Sequence, residues 1–112
     1  MTDEQLMQRY AGGDAAAFDA LYARHEAALY RFVRRSLGSG LAAQADEVFQ
    51  DTWLRLVAAR DRYAPQGATW RTWLFTIAHN LAVDRLRRSG REVVPEDAAG
   101  DRFADLVLHC GA

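Results

Sequence analysis

The chain has no lysine: all 14 of its basic residues besides histidine are arginine. Arginine presents a planar fork suited to phosphate, but abundant alanine beside it suggests a GC-rich coding bias, so arginine content alone does not demonstrate phosphate binding. Cysteine occurs once, at Cys110. An internal disulfide is therefore impossible, and with no apolar leader or long apolar run the expectation is a cytoplasmic protein that is neither secreted nor embedded in a membrane. His109 beside Cys110 lacks the further spaced ligands a zinc site needs, so no metal and no cofactor is expected. There is no Glu-x-x-His pair, no glycine-rich loop before a lysine and no serine or cysteine with an evident base, which argues against an enzyme. Net charge is nearly absent too, at −1, an unusual total for a nucleic-acid binder.

The distribution of charge says more than the total. Between Arg71 and Arg91 five arginines face one acid, a local charge of +4; between Glu92 and Ala112 five acids face one arginine, a local charge of −4. A basic segment followed by an acidic tail reads as two surfaces with different partners, or as a tail able to lie over the basic patch.

Alternating apolar and polar residues are missing over any length that would support a strand, so the fold class expected is all-α: a compact helical bundle of three to four main helices with a short, partly disordered acidic tail. A chain of 112 residues supports one core. Asp3 is expected to cap a first helix that stops at Gly12-Gly13, and Asp14 a second that runs to about Leu37 before Gly38. Along the second, Phe18, Leu21, Tyr22, His25, Leu29, Phe32 and Val33 recur at helical spacing as a buried stripe. His25 lies inside that stripe and is read as a satisfied core or boundary group. A third helix is expected from about Ala42 to Arg60, then a loop at Ala64-Pro65-Gln66-Gly67. Thr69 would cap a fourth helix. Beyond Ser89-Gly90, residues 93–100 read as linker and Asp101 to His109 as a short last helix.

Two helices carry residues that a core does not explain. On the third, Phe49, Trp53, Leu56 and Val57 are expected to point inward, leaving Glu47, Gln50, Asp51, Leu54 and Arg55 outside. A leucine among charged neighbours looks like the centre of a protein contact with a polar rim. On the fourth, at about 100° per residue, Trp70, Trp73, Ile77 and Leu81 fall on one stripe, with Thr72, Thr76, Asn80, Val83 and Arg87 flanking it and Asp84, Arg85 and Arg88 on the last turn. Trp73, Ile77 and Leu81 are assigned to the core. Trp70, at the helix start beside the Pro/Gly loop, is expected to be partly exposed and available to stack on a base. Asn80 is a poor helix former in mid-helix, better explained beside Thr76 and Arg87 by hydrogen bonds to bases or phosphates than by stability.

These residues resemble the second conserved domain of extracytoplasmic-function sigma factors, the bacterial subunits that direct RNA polymerase to promoters. Ala45-Asp46-Glu47-Val48-Phe49-Gln50-Asp51-Thr52-Trp53-Leu54-Arg55 is similar to that family's clamp-binding helix. Tyr63-Ala64-Pro65 with Gly67, Trp70-Arg71-Thr72-Trp73-Leu74-Phe75, and Ile77 to Ala82 followed by Asp84-Arg85-Leu86-Arg87-Arg88 are similar to its promoter-opening loop and helix. The resemblance spans about Asp14 to Arg91 and implies a division of labour. Asp46, Glu47, Gln50, Asp51, Leu54 and Arg55 would grip the clamp helices of the largest polymerase subunit. The loop and helix start, with Tyr63, Gln66, Thr69, Trp70 and Arg71, would hold a flipped base of the single-stranded minus-ten element. Thr76, His79, Asn80, Asp84, Arg85, Arg87 and Arg88 would meet the junction of duplex and single strand. His79 departs from the basic residue usual there. An anti-sigma factor is a further implied partner.

Residues 1–91 are thus expected to form the sigma domain and residues 92–112 the start of an acidic interdomain linker. Nothing after Arg91 is long enough for the helix-turn-helix domain such factors carry, so a fragment of a longer factor is expected, a short form relying on another chain being the alternative. A contrasting reading is a helical interaction module, bound by an anti-sigma protein or acting as a decoy, without direct DNA binding.

Overall fold

The computed structural model describes residues 1–63 and 67–90, and every regular element among them is helical. The proposed linker, the short last helix, Gln66, His109 and Cys110 lie outside the described residues. Helix α1 spans Asp3–Ala11, α2 Ala15–Leu37, α3 Ala45–Ala58 and α4 Trp70–Arg88. Short 3-10 turns at Ser39–Gln44 and Arg60–Arg62 flank α3.

Helix α1 begins with a capping box. The Thr2 hydroxyl accepts from the Gln5 N–H at 3.1 Å and the Gln5 side chain accepts from the Thr2 N–H at 2.8 Å, which satisfies two otherwise orphaned donors. Thr2, and not Asp3, is therefore the cap. Asp3 sits one residue further in and turns toward α2, with one oxygen 2.9 Å from Nε2 of His25 and the other 3.1 Å from Nη1 of Arg24. Asp14 caps α2 as expected, accepting from the Ala16 N–H at 3.1 Å. Gly38, at φ 76°, takes the chain out of α2 in a conformation that L side chains rarely adopt.

The inner line of α2 is Ala17, Leu21, His25, Leu29, Val33 and Leu37, a strict repeat of four, with Phe18, Tyr22 and Phe32 half-buried alongside. His25 is buried and its ring lies 5.2 Å from that of Trp70. Further along, Phe32 of α2 lies 5.1 Å from Phe75 of α4. Residues increase together on the two helices, so α2 and α4 run in the same sense where they pack.

Helix α3 is shorter than the sequence predicts. Leu41, at φ −120° and ψ 20°, interrupts the helical geometry, so the residues before Ala45 form a separate 3-10 turn. Its buried residues are Ala45, Val48, Thr52, Trp53 and Leu56, whereas Phe49 and Val57 are only half-buried. Half-buried Phe49 meets α2 edge-on, 5.4 Å from the Tyr30 ring and 6.2 Å from that of Tyr22, while buried Trp53 lies 4.9 Å from Tyr22 and 5.7 Å from Phe18.

On α4 the inner line is rotated from the expected stripe. Trp70, Leu74, Ala78, Ala82 and Leu86 form a row of five buried residues four apart, joined by Phe75. Trp73, Ile77 and Leu81, assigned to the core, are half-buried on the adjoining row, with Trp73 and Leu81 packed against the core's edge. The small side chains at Ala78 and Ala82 decide the matter, because they let the α4 backbone approach its neighbours where larger residues could not.

Candidate nucleic-acid and protein interfaces

Residues Asp46 to Arg55 assemble one continuous outward face. Asp46, Glu47, Gln50, Leu54 and Arg55 are exposed and Asp51 is half-buried, so all six predicted contact residues lie on the side of α3 turned from the core. Leu54 is 64% exposed, more than any other bulky apolar side chain among the described residues, Met1 following at 58%. Beside it Phe18, Tyr22, Phe49, Trp53 and Val57 line a groove of about 300 Å³ between α2 and α3, with Gln50 and Leu54 as its exposed members. An open apolar groove rimmed by charge is the anatomy of a protein-binding surface.

The acids of this face are held in place. Asp46 accepts a 2.7 Å hydrogen bond from the Tyr30 hydroxyl. That bond, together with some burial and the negative charge of Asp46, raises the Tyr30 phenol above its ordinary pKa. Glu47 and Asp51 stand one turn apart on α3, where like charges repel. Arg85 of α4 reaches between them, its Nη2 2.8 Å from Glu47 Oε1 and 3.2 Å from Asp51 Oδ2, while its Nη1 donates to Gln44 Oε1 at 3.1 Å.

Helix α4 carries the second set. Thr69 caps it by accepting from the Thr72 N–H at 3.1 Å. Trp70 is not partly exposed but has 0% of its surface accessible. Its backbone N–H donates to Glu4 Oε2 at 2.7 Å, which ties the start of α4 to α1. Burial removes the stacking role predicted for Trp70, because a ring enclosed on all sides has no face for a base. Thr76 is likewise fully buried, and its hydroxyl donates to the Thr72 carbonyl at 2.7 Å rather than facing outward. His79 is 9% exposed and lies at the core boundary.

What remains open on α4 is narrower. Asn80, Arg87 and Arg88 are exposed, and Arg88 pairs with Asp84 one turn earlier at 2.8 Å. Arg71 is exposed at the helix start, with its guanidinium 4.1 Å from the Phe75 ring centre. Arg85 does not share this surface: its side chain is only 15% exposed and is turned to α3. Trp73, assigned to the core, packs against it half-buried and also lies 5.1 Å from the Tyr63 ring.

Residues 21–92 match the family described as Sigma-70 region 2. The chain belongs to that family. Among curated relatives, this sigma region 2 domain is 40% identical over 81 residues to the RNA polymerase sigma factor CarQ of Myxococcus xanthus, covering 72% of this chain and 45% of the relative. It is 41% identical over 81 residues to the ECF RNA polymerase sigma factor SigL of Mycobacterium tuberculosis, covering 72% and 44%. It is 34% identical over 111 residues to the ECF RNA polymerase sigma factor SigK of Mycobacterium sp. (strain KMS), covering 92% and 56%. The chain spans about half the length of the curated relatives it matches. The match takes in α3 and α4 whole, and with them both residue sets described above. No helix among the described residues of the sigma domain is long and apolar enough to cross a membrane.

Proposed function

We propose that this chain is the promoter-recognition domain of an extracytoplasmic-function sigma factor, acting in transcription initiation in the cytoplasm. It is the domain at residues 1–91, with residues 92–112 beginning the linker that follows. The observation that carries the proposal is the pairing, within one matched region, of an outward α3 face centred on exposed Leu54 with an open arginine-bearing end of α4. Asp46, Glu47, Gln50, Asp51, Leu54 and Arg55 bind the clamp helices of the polymerase core. The loop through Tyr63, Gln66 and Thr69, with Trp73 and Arg71 beside it, takes a non-template base of the minus-ten element, while Asn80, Arg87 and Arg88 meet the strand junction. Asp84 acts there by orienting Arg88.

No covalent chemistry is needed for this activity. A captured or stacked base contributes on the order of 1–3 kcal/mol toward the separated state, so melting is selection of transiently open DNA by differential binding. Few phosphates are contacted, so the isolated domain binds DNA weakly and with a shallow dependence on salt. An anti-sigma protein would silence the domain by covering the α3 face.

The test is association of the chain with RNA polymerase core, alone and with a single-stranded minus-ten oligonucleotide. Leu54→Asp changes no buried contact and should leave thermal unfolding unaltered while weakening core binding at least about tenfold. Normal core binding by that variant would remove the assignment of the α3 face.

A further inference from the structure

We infer that Arg85 is a positioning residue of the polymerase-binding face and not a DNA contact; this rests on the sigma reading above. Three partners define its role. One guanidinium nitrogen is shared between Glu47 at 2.8 Å and Asp51 at 3.2 Å, and the other donates to Gln44 at 3.1 Å. Gln44 precedes α3, and Glu47 and Asp51 occupy its first two turns, so one side chain from α4 grips three positions of the helix that carries the protein-binding face.

The geometry of the grip explains what it does. Glu47 and Asp51 are 66% and 40% exposed at their side chains, against 15% for Arg85. The cation therefore sits inside and the carboxylates outside. Arg85 uses Oε1 of Glu47 and Oδ2 of Asp51, and each carboxylate keeps its other oxygen for a partner. Two acids one helical turn apart repel and would splay; a guanidinium between them holds both in one orientation and makes the trio a net single negative charge. The pair is thereby preorganised for a cationic group on the polymerase, and less ordering remains to be done on binding. The neighbouring Arg88 is 70% exposed at its side chain and, among the described residues, pairs with Asp84 on its own helix. It has the freedom to reach a phosphate that Arg85 lacks.

The test compares Arg85→Ala, Arg85→Gln and Arg85→Lys in the full chain, reading affinity for polymerase core, affinity and salt slope for a single-stranded minus-ten oligonucleotide, and thermal unfolding. Arg85→Ala should weaken core binding about tenfold while oligonucleotide affinity stays within about twofold and its salt slope is unchanged. Arg85→Gln, which keeps hydrogen bonding without charge, should behave like Arg85→Ala. Arg85→Lys should recover part of the loss, because an ammonium reaches one carboxylate at a time; it also serves if Arg85→Ala does not fold. In a background of Glu47→Gln with Asp51→Asn, the effect of Arg85→Ala on core binding should disappear. A fall of about one in the salt slope, core binding indifferent to Arg85, or equal losses in both backgrounds would each overturn the inference. If the unaltered chain bound neither core nor oligonucleotide, the sigma reading itself would fall, and the inference with it; binding by the unaltered chain with an indifferent Arg85→Ala removes the inference alone.

Discussion

Trp70→Ala is the substitution that separates a base-stacking ring from a structural one. Trp70 is fully enclosed, packs against the His25 ring at 5.2 Å, and heads the buried row that continues through Leu74, Ala78, Ala82 and Leu86. Truncating a buried tryptophan removes its transfer free energy and leaves a cavity, together about 3–5 kcal/mol. A helical domain of this size has a total stability on the order of 5–15 kcal/mol, so the loss is a large share of it. For a domain of this size each kcal/mol moves the midpoint by about 4–8 °C, and the expected fall in Tm is at least about 12 °C. Trp70→Phe should lose less, about 1–2 kcal/mol, because it keeps most of the volume and deletes the indole N–H, which has no hydrogen-bond partner among the described residues. Far-UV circular dichroism through thermal unfolding gives the midpoints, and oligonucleotide binding is then measured well below the lower one. A Trp70→Ala protein whose Tm falls by less than about 4 °C but whose single-strand binding is lost would refute the reasoning, since that is the behaviour of an exposed ring.

Asn80 makes the converse case: it is exposed on α4, so Asn80→Ala should keep stability within about 0.5 kcal/mol yet weaken binding to a minus-ten single strand by about 1–3 kcal/mol, as fluorescence anisotropy at low salt would show; unchanged binding counts against the α4 interface. Tyr30 donates to Asp46, and the neutral phenol is the form stabilised. Its folded pKa is raised, so the contribution of this bond is in place below about pH 10 and is lost as pH climbs through the raised value. Ultraviolet titration at alkaline pH should show Asp46→Ala moving one phenol, that of Tyr30, back toward the ordinary tyrosine range; a titration curve unchanged by Asp46→Ala would rule out the assigned cause.

The parts legible in the sequence are those decided by a single helix. The spacing of Leu21, His25, Leu29 and Val33 is strong enough to set the buried side of α2, though not to show that Ala17 and Leu37 continue it, and Thr69 and Asp14 cap where short polar side chains precede apolar runs. The Thr2-to-Gln5 box was equally legible by its spacing, but an adjacent acid drew the assignment to Asp3. Helix α4 misleads because its large and its small apolar residues lie on adjacent rows that both reach the core. Trp73, Ile77 and Leu81 outweigh Ala78 and Ala82 in bulk, while the alanines determine which side approaches the bundle. Outside the reach of any single helix lies Arg85, whose partners Gln44, Glu47 and Asp51 are 41, 38 and 34 residues away. In a run of arginines it looks like one more phosphate contact, and only the tertiary packing distinguishes it.

The carboxylate of Glu4 occupies the backbone N–H at the first residue of α4. The amino end of a helix carries partial positive charge and is a ready place for a phosphate. Here that place is already filled by an acid from α1, while Arg87 and Arg88 gather at the carboxyl end. The first N–H of α4 is thus closed to an anion, and the exposed cations are side chains, Arg71 at the loop end and Arg87 and Arg88 at the far end. A nucleic-acid strand laid along it would therefore find arginine side chains rather than a bare helix end for its phosphates, and a base turning in at the loop would not compete with a phosphate for the Trp70 N–H.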